Sequence, residues 1–402
     1  MKVLQINSVC GIGSTGKICS NIAEILENRG HECLIAFGRK GAPEECGKYA
    51  LRIGSKLGVY ASAAAARLFD RAGFSNKRAT KKLIKQIKAY SPDIIHLHNL
   101  HGYYINIEIL FDYLKDAHIP VVLTLHDCWS FTGHCAHFDF AGCSRWQNGC
   151  FDCPQKEAYP RSILLDNSKS NYRRKKELFT SVEDMTIVGV SNWVSDLARK
   201  SFLQKYPIKT IHNGIDLSLF KPTESDFRER YGLQGKTIIL GVAQNWMEYK
   251  GVDDFVKLAG LADENYKIVV VGATDKMRSF LPENILAIDR IESVDKLCEI
   301  YSAADVFLNT TLNETFGLAN VEALACGTPV VTYRTGGCPE IVDETCGIVA
   351  EKRTPESALE AIKRVGSISA EACIKRARDF DMNDKFSQYV ELYEQILAQS
   401  NK

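Results

Sequence analysis

The stretch Asn309-Thr-Thr-Leu-Asn-Glu314-Thr-Phe316-Gly317-Leu318-Ala-Asn-Val-Glu322-Ala-Leu-Ala-Cys-Gly327-Thr-Pro329-Val sets two glutamates eight positions apart across a Phe-Gly turn. The first follows the apolar strand pattern Asp305-Val-Phe-Leu and falls in a loop. The second falls inside a short helix that starts near Leu318 and stops at Gly327. The turn therefore presents bare backbone N–H groups and a helix N-terminus, which suits a phosphate. A carboxylate at each end can accept hydrogen bonds from hydroxyls on either side of the phosphates. Ribose, diphosphate and hexose stand in that order in a nucleotide sugar. Glu314, Phe316, Gly317, Leu318 and Glu322 are thus read as one donor site.

Other segments carry residue types with comparable chemistry. In Gly241-Val-Ala-Gln244-Asn245-Trp-Met-Glu-Tyr-Lys250-Gly251, the lysine stands just before a predicted helix over Val252 to Leu261, where its charge can meet a diphosphate. Leu125-His126-Asp127 closes a strand, so His126 can bond sugar hydroxyls or stabilise developing charge. Thr335-Gly336-Gly337 follows a strand and precedes a predicted helix, so its amides can line a ligand. Cys10-Gly11-Ile-Gly13-Ser-Thr-Gly16-Lys17-Ile18 nearly fits a P-loop, but Ile18 stands where a magnesium-binding hydroxyl belongs. That near-match keeps an ATPase or phosphoryl transferase as an alternative. Cys135, Cys143, Cys150 and Cys153, ending in a Cys-x2-Cys knuckle, have the spacing of structural zinc, with Cys128, His134 and His137 as alternative ligands. Four thiolates would close the metal shell, so this metal is not expected to be catalytic.

The Glu314–Glu322 segment closely resembles the Glu-x7-Glu signature of family 4 retaining glycosyltransferases, the large family that contains sucrose synthase and many bacterial polysaccharide enzymes. The cysteine segment is similar to that of a bacterial capsule and exopolysaccharide subgroup, of colanic-acid type. The second half matches along most of its length, and the first half mainly at its loops. The resemblance implies a GT-B fold, with two Rossmann-like domains face to face and a final helix crossing back to the first. It implies transfer of a hexose with retention, without a catalytic metal, from a UDP- or GDP-sugar to a glycan or lipid-linked glycan. By that resemblance Glu314 contacts the donor sugar and supports an oxocarbenium-like transition state, and Glu322 binds the ribose. Lys250 and the amides near Gly317 neutralise the diphosphate, and His126 lies beside the donor sugar. Gly13 and Gly16 let the backbone approach donor phosphate or acceptor. The family usually pairs an arginine with the lysine; here Asn245 and Gln244 hold those positions, and Arg334 is the substitute cation. A nucleotide-sugar-binding protein without activity is the remaining alternative.

These residues need a scaffold. Short β-branched runs alternate with longer amphipathic segments, which reads as α/β with parallel sheets. Val3–Ile6, Cys33–Phe37, a strand from Asp93, Val121–His126 and Ile187–Val190 form one series, with helices over Gly16–Asn28, about 55–90, and from Ser191. Thr237–Val242, Lys267–Gly272, Ile285–Ile288, Asp305–Leu308 and Pro329–Tyr333 form a second. The expected domains are residues 1–210, an acceptor-binding domain with a cysteine-rich insertion at about 128–160, and residues 211–382, which bind the nucleotide sugar; a crossover helix follows at 383–402.

With 402 residues, 45% hydrophobic and 25% charged, the composition is that of a globular chain, and a net charge of +1 argues against nucleic acid as a partner. No signal-like or eighteen-residue apolar run occurs, so a cytoplasmic location is expected. The basic helix Lys77–Lys88 adds an expected peripheral contact with anionic lipid at the inner face of the membrane.

Overall fold

The computed structural model describes residues 1–400. It divides into two compact units: Met1–His212 with the C-terminal residues from Lys385, and Asn213–Asp384. Each is built on an all-parallel sheet.

In the first unit the strands are β1 (Lys2–Asn7), β2 (Glu32–Phe37), β3 (Ala50–Arg52), β4 (Ile94–Leu97), β5 (Val121–Leu125), β6 (Met185–Gly189) and β7 (Ile208–Thr210). Their spatial order is β3-β2-β1-β4-β5-β6-β7. Val3 pairs with Cys33 on one side and Ile94 on the other, and Val121 pairs with Ile95 and Met185. Every residue of β4, β5 and β6 is buried, as expected where helices cover both faces of a parallel sheet.

The second unit contains β8 (Thr237–Val242), β9 (Tyr266–Val271), β10 (Ile285–Ile288), β11 (Val306–Asn309), β12 (Val330–Tyr333) and β13 (Gly347–Ala350), ordered β10-β9-β8-β11-β12-β13. Ile239, Phe255, Leu258, Val270, Leu308, Val331 and Ile362 meet in its core. In both units the strand order reverses once, between β1 and β4 and between β8 and β11. A parallel sheet opens a crevice at such a point, because the flanking loops leave toward opposite faces.

The final helix, Met382–Ser400, returns to the first unit. Tyr389 and Tyr393 are fully buried there. The Tyr393 hydroxyl pairs with His96 Nδ1 at 2.6 Å, and Thr124 Oγ1 lies 3.3 Å from the Tyr389 hydroxyl.

Two local readings of the sequence change. The single helical stretch over about 55–90 is two helices, Lys56–Phe69 and Lys77–Tyr90. Asp70 and Asn76, both left-handed, end one and begin the other. Asp70 is taken up elsewhere: its carboxylate holds His134 Nδ1 at 2.5 Å and the Asn167 amide at 2.8 Å. Gly73, between the helices, packs so closely under Trp129 that a Cβ would stand 2.7 Å from the ring.

The second change concerns the cysteine-rich segment. The spacing of its cysteines predicts structural zinc. Instead Trp129, Phe131, Phe138 and Trp146 are buried as an aromatic core of its own, with Phe138 stacked on Trp146 at 5.1 Å. Buried Lys175 ties it to the domain by donating to the carbonyls of Trp129 at 2.7 Å and Thr132 at 3.0 Å. Burial pushes the Lys175 amine down to about 7. Cys135, Cys143, Cys150 and Cys153 line one small cavity. Among the described residues, however, no three His, Cys, Asp or Glu side chains are grouped so as to hold a metal ion. The thiols of Cys135 and Cys153 hydrogen-bond each other, and Cys150 Sγ accepts from the Gly133 amide at 3.1 Å. The expected four-thiolate zinc shell is not formed.

Candidate active site

In the second unit the site grows from the two loops that flank the strand-order reversal. The loop after β8 ends in a 3-10 turn, Glu248–Lys250. The loop after β11 carries Thr310 to Gly317. Two threonines stitch them together: Thr310 Oγ1 donates to the Gly251 carbonyl at 3.0 Å and Thr311 Oγ1 to the Tyr249 carbonyl at 3.3 Å. Gly251 has φ +75, and a Cβ there would lie 2.4 Å from the Thr310 carbonyl oxygen, so only glycine lets the loops close this far.

That closure brings Lys250 Nζ to 2.6 Å from Glu314 Oε2. Both side chains keep about a quarter of their surface exposed, at 28% and 23%. Burial disfavours charge on Lys250, but the Glu314 carboxylate outweighs it and holds the amine above its ordinary range. The site therefore presents a fixed cation bonded to a fixed anion.

Glu314 is set from beneath by the Gly336-Gly337 turn. The Gly337 amide donates to the Glu314 carbonyl at 3.3 Å, and a Cβ on Gly336 would stand 1.5 Å from that oxygen. Next, Phe316 is buried against Phe380, and Gly317, at φ +97, starts the helix Leu318–Ala325. No side chain caps this helix, so its first amides stay available for an anion. Glu322, on the same helix and half-buried, accepts from the Tyr301 hydroxyl at 3.1 Å.

Four of the buried side-chain atoms that lack a partner sit around this turn: both amide atoms of Asn313, Nδ2 of Asn320 and Oγ1 of Thr335. Buried polar groups are rarely left unpaired, so their concentration beside a charged pair makes this turn a candidate site for a polar ligand. Asn245 and Arg334 are exposed on the loops after β8 and β12.

The other proposed residues lie in the first unit. Gly13 is exposed at the first turn of the helix Gly13–Asn28. Gly16 is one turn further in and buried, and the Gly11 amide donates back to its carbonyl at 3.0 Å. A P-loop needs these amides open around a phosphate. Here the helix has already begun three residues before Gly16 and the loop closes on itself, which removes the structural basis of the ATPase alternative.

His126 stands at the end of β5, its Nε2 3.0 Å from His98 Nδ1, whose other nitrogen lies 3.0 Å from Gln5 Oε1. Burial lowers His126 to about 4 and also holds buried His96 and His98 well below the ordinary imidazole range, so all three are neutral near pH 7.

Sequence reasoning assigned no role to the residue beside His126. Asp127 Oδ2 lies 2.6 Å from His101 Nε2, and His101 Nδ1 lies 3.0 Å from the Tyr159 hydroxyl. Burial would raise the Asp127 carboxyl, but His101 outweighs it and holds it well below the carboxylate range. The pairing joins three segments far apart in sequence. The run His96-Leu-His98-Asn-Leu-His101 at a strand end was the available signal.

Comparison with known proteins agrees with this architecture. Residues 16–219, half of the chain, match the model of Glycosyltransferase Family 4, and residues 223–380 match that of Glycosyl transferases group 1. The chain belongs to glycosyltransferase family 4. It is 25% identical over 86% of its length, and 86% of the relative's, to the putative colanic acid biosynthesis glycosyl transferase WcaC of Escherichia coli. A D-inositol 3-phosphate glycosyltransferase of Mycolicibacterium gilvum is 28% identical over 43% of this chain and 42% of its own. Among solved structures, the sucrose-phosphate synthase of Thermosynechococcus elongatus superposes with a TM-score of 0.70 at 16% identity, covering 99% of both chains. The Anabaena protein HepE, in complex with UDP and glucose, does so with a TM-score of 0.68 at 16% identity, covering 98% of this chain and all of its own. These likenesses give the GT-B class of two Rossmann-like α/β domains.

Proposed function

We propose that this glycosyltransferase moves a hexose, with retention and without a catalytic metal, from a UDP- or GDP-sugar to a glycan or lipid-linked glycan in surface polysaccharide synthesis. The observation that carries the reading is the Lys250–Glu314 pair, 2.6 Å apart beside an uncapped helix N-terminus. The ammonium and the amides at Gly317 and Leu318 lie where a departing diphosphate gains charge. Stabilising charge as it develops is the main catalytic lever of such a site. Glu314 is held by Lys250 and the Gly336-Gly337 turn, with its remaining lone pairs directed to the hydroxyls of the transferred sugar. Glu322, steadied by Tyr301, accepts from the ribose. Neutral His126 supplies a hydrogen bond near the sugar without adding positive charge against an oxocarbenium-like transition state.

The domain assignment goes with this reading: 211–382 for the donor, 1–210 for the acceptor, and 383–402 as the crossover helix. Work at the inner face of the membrane is consistent with two surface features. Leu57, Tyr60 and Leu164 are exposed at 80%, 71% and 62%, and Lys77, Lys81, Lys85 and Lys88 point outward. The apolar side of that basic helix, Leu83 and Ile87, is buried in the protein, so its contact with lipid would be electrostatic. No described helix is long and apolar enough to cross a membrane.

Glu322→Ala tests the donor assignment. Losing charged acceptors for the ribose hydroxyls costs about 1.5–3 kcal/mol, so UDP affinity by calorimetry should fall roughly 10- to 150-fold, beside a lower melting temperature because the buried Tyr301 hydroxyl loses its partner. Unchanged affinity would remove Glu322 from the nucleotide site. Sugar release from UDP-glucose or GDP-mannose by the wild type separates an enzyme from a binding protein.

A further inference from the structure

We propose that Tyr159, carried by the cysteine-rich segment and locked by the Asp127–His101 couple, is the platform on which the sugar ring of the acceptor stacks. The proposal deepens the glycosyltransferase reading and rests on it.

The argument starts from an apparent conflict. Tyr159 is 38% exposed, yet its hydroxyl is fixed at 3.0 Å from His101 Nδ1 and is also reached by the Arg39 side chain. His101 in turn is only 7% exposed and is pinned by Asp127 at 2.6 Å. Asp127 is itself fixed, because its second oxygen accepts from the Trp129 amide at 2.8 Å. A surface tyrosine ordinarily rotates freely in water. This one is anchored through a largely buried hydrogen-bonded couple, while 38% of the residue's surface stays open. Pre-organising an aromatic face removes the entropy that a ligand would otherwise lose in ordering it.

The surroundings fit a pyranose. Tyr103 meets Tyr159 edge-on at 6.3 Å, and His101 meets it edge-on at 5.3 Å. Arg39 follows β2, His101 and Tyr103 follow β4, and Asp127 follows β5. All four therefore gather at the C-terminal edge of one sheet, where an open α/β sheet takes its ligands. An apolar ring face with polar groups at its rim matches a sugar, whose C–H face is apolar and whose hydroxyls point outward. This also gives the cysteine-rich segment a task. Its aromatic core and Lys175 hold it against the domain so that Tyr159 arrives at the edge beside His126.

The test uses the full chain with methyl α-D-glucoside, methyl α-D-galactoside, methyl α-D-mannoside and methyl α-L-fucoside as probes, read by saturation-transfer-difference NMR. UDP binding is followed separately by calorimetry. Wild-type protein should give ring-proton signals with at least one glycoside. Tyr159→Ala should weaken that glycoside tenfold or more, and Tyr159→Phe and His101→Gln should weaken it several-fold. UDP affinity should stay unchanged in all three, and the melting temperature in Tyr159→Phe, which keeps the His101–Asp127 contact. Undiminished glycoside binding in Tyr159→Ala overturns the proposal, as does a wild type that binds none of the four. If Tyr159→Ala fails to fold, Tyr159→Phe decides: weaker binding at an unchanged melting temperature supports the platform, and unaltered binding removes it. A wild type that binds a glycoside but neither UDP nor GDP would defeat the donor reading and leave the platform standing.

Discussion

Lys250 and Glu314 show how one contact sets the character of the site. The family resemblance leads one to expect an arginine alongside the lysine, and Asn245 and Gln244 cannot supply that charge. Lys250 is thus the one cation that the loop after β8 brings to Glu314, and the carboxylate keeps it protonated. Lys250→Ala would leave Glu314 without its counter-ion and the departing diphosphate without its ammonium. A charge-assisted hydrogen bond is worth about 1.5–3 kcal/mol, so kcat/KM should fall by at least roughly tenfold, with nucleotide-sugar affinity falling too. Lys250→Arg should recover part of the loss. A near-wild-type Lys250→Ala enzyme, together with a severe loss in Arg334→Ala, would move the phosphate site to the loop after β12. The motif residues were legible in the sequence because each has a local signature. His101 and Tyr159 were not, because their importance comes from a pairing across segments that no local spacing records.

At the scale of elements, the site depends on loops held closer than side chains would permit. Gly336 has φ +52 and no room for a Cβ, which would fall 1.5 Å from the Glu314 carbonyl oxygen. Because that neighbour is backbone, relief requires moving the Glu314 loop itself. Gly336→Ala should cost about 1–3 kcal/mol in overpacking, with additional strain from the left-handed backbone. The expected result is a lowered denaturation midpoint and a disproportionate loss of turnover. Stability lost with turnover per folded molecule intact would show that Glu314 tolerates displacement.

The alternation of strands and helices was readable because parallel strands are continuous apolar runs and their helices are amphipathic. Three strands escaped it. β3 and β7 are three residues long and carry no fully buried residue, and β13 begins at a glycine. The break at Asp70 escaped because its cause, the contact with His134, lies 64 positions away. The aromatic core of the cysteine-rich segment escaped for a related reason: Trp129, Phe131, Phe138 and Trp146 have no periodicity, so no local pattern announces it.

For the whole molecule, the path of the chain makes the two units unequal. It leaves the first at His212 and returns at Lys385, so the second is an insertion whose ends meet. Ile215 bridges to Asp381, its amide donates to the Phe380 carbonyl at 3.0 Å, and its carbonyl accepts from the Met382 amide at 2.9 Å. Residues 213–384 can therefore be excised without breaking either sheet, and they contain Lys250, Glu314, Gly317 and Glu322. The first unit has no such freedom. Cutting at residue 212 removes Phe386, Tyr389, Val390 and Tyr393, all fully buried, and strips His96 Nδ1 of its hydroxyl partner. Exposed apolar surface together with an unpaired buried polar group is a recipe for aggregation. The 213–384 fragment should accordingly unfold in one cooperative denaturant transition and bind UDP within about tenfold of the full chain, whereas the 1–212 fragment should be insoluble or lack a cooperative transition. A well-folded 213–384 fragment that fails to bind UDP, while the full chain binds it, would mean that the nucleotide site needs residues of the first unit. The reading of Lys250, Glu314 and Glu322 as a self-sufficient donor site would then be wrong.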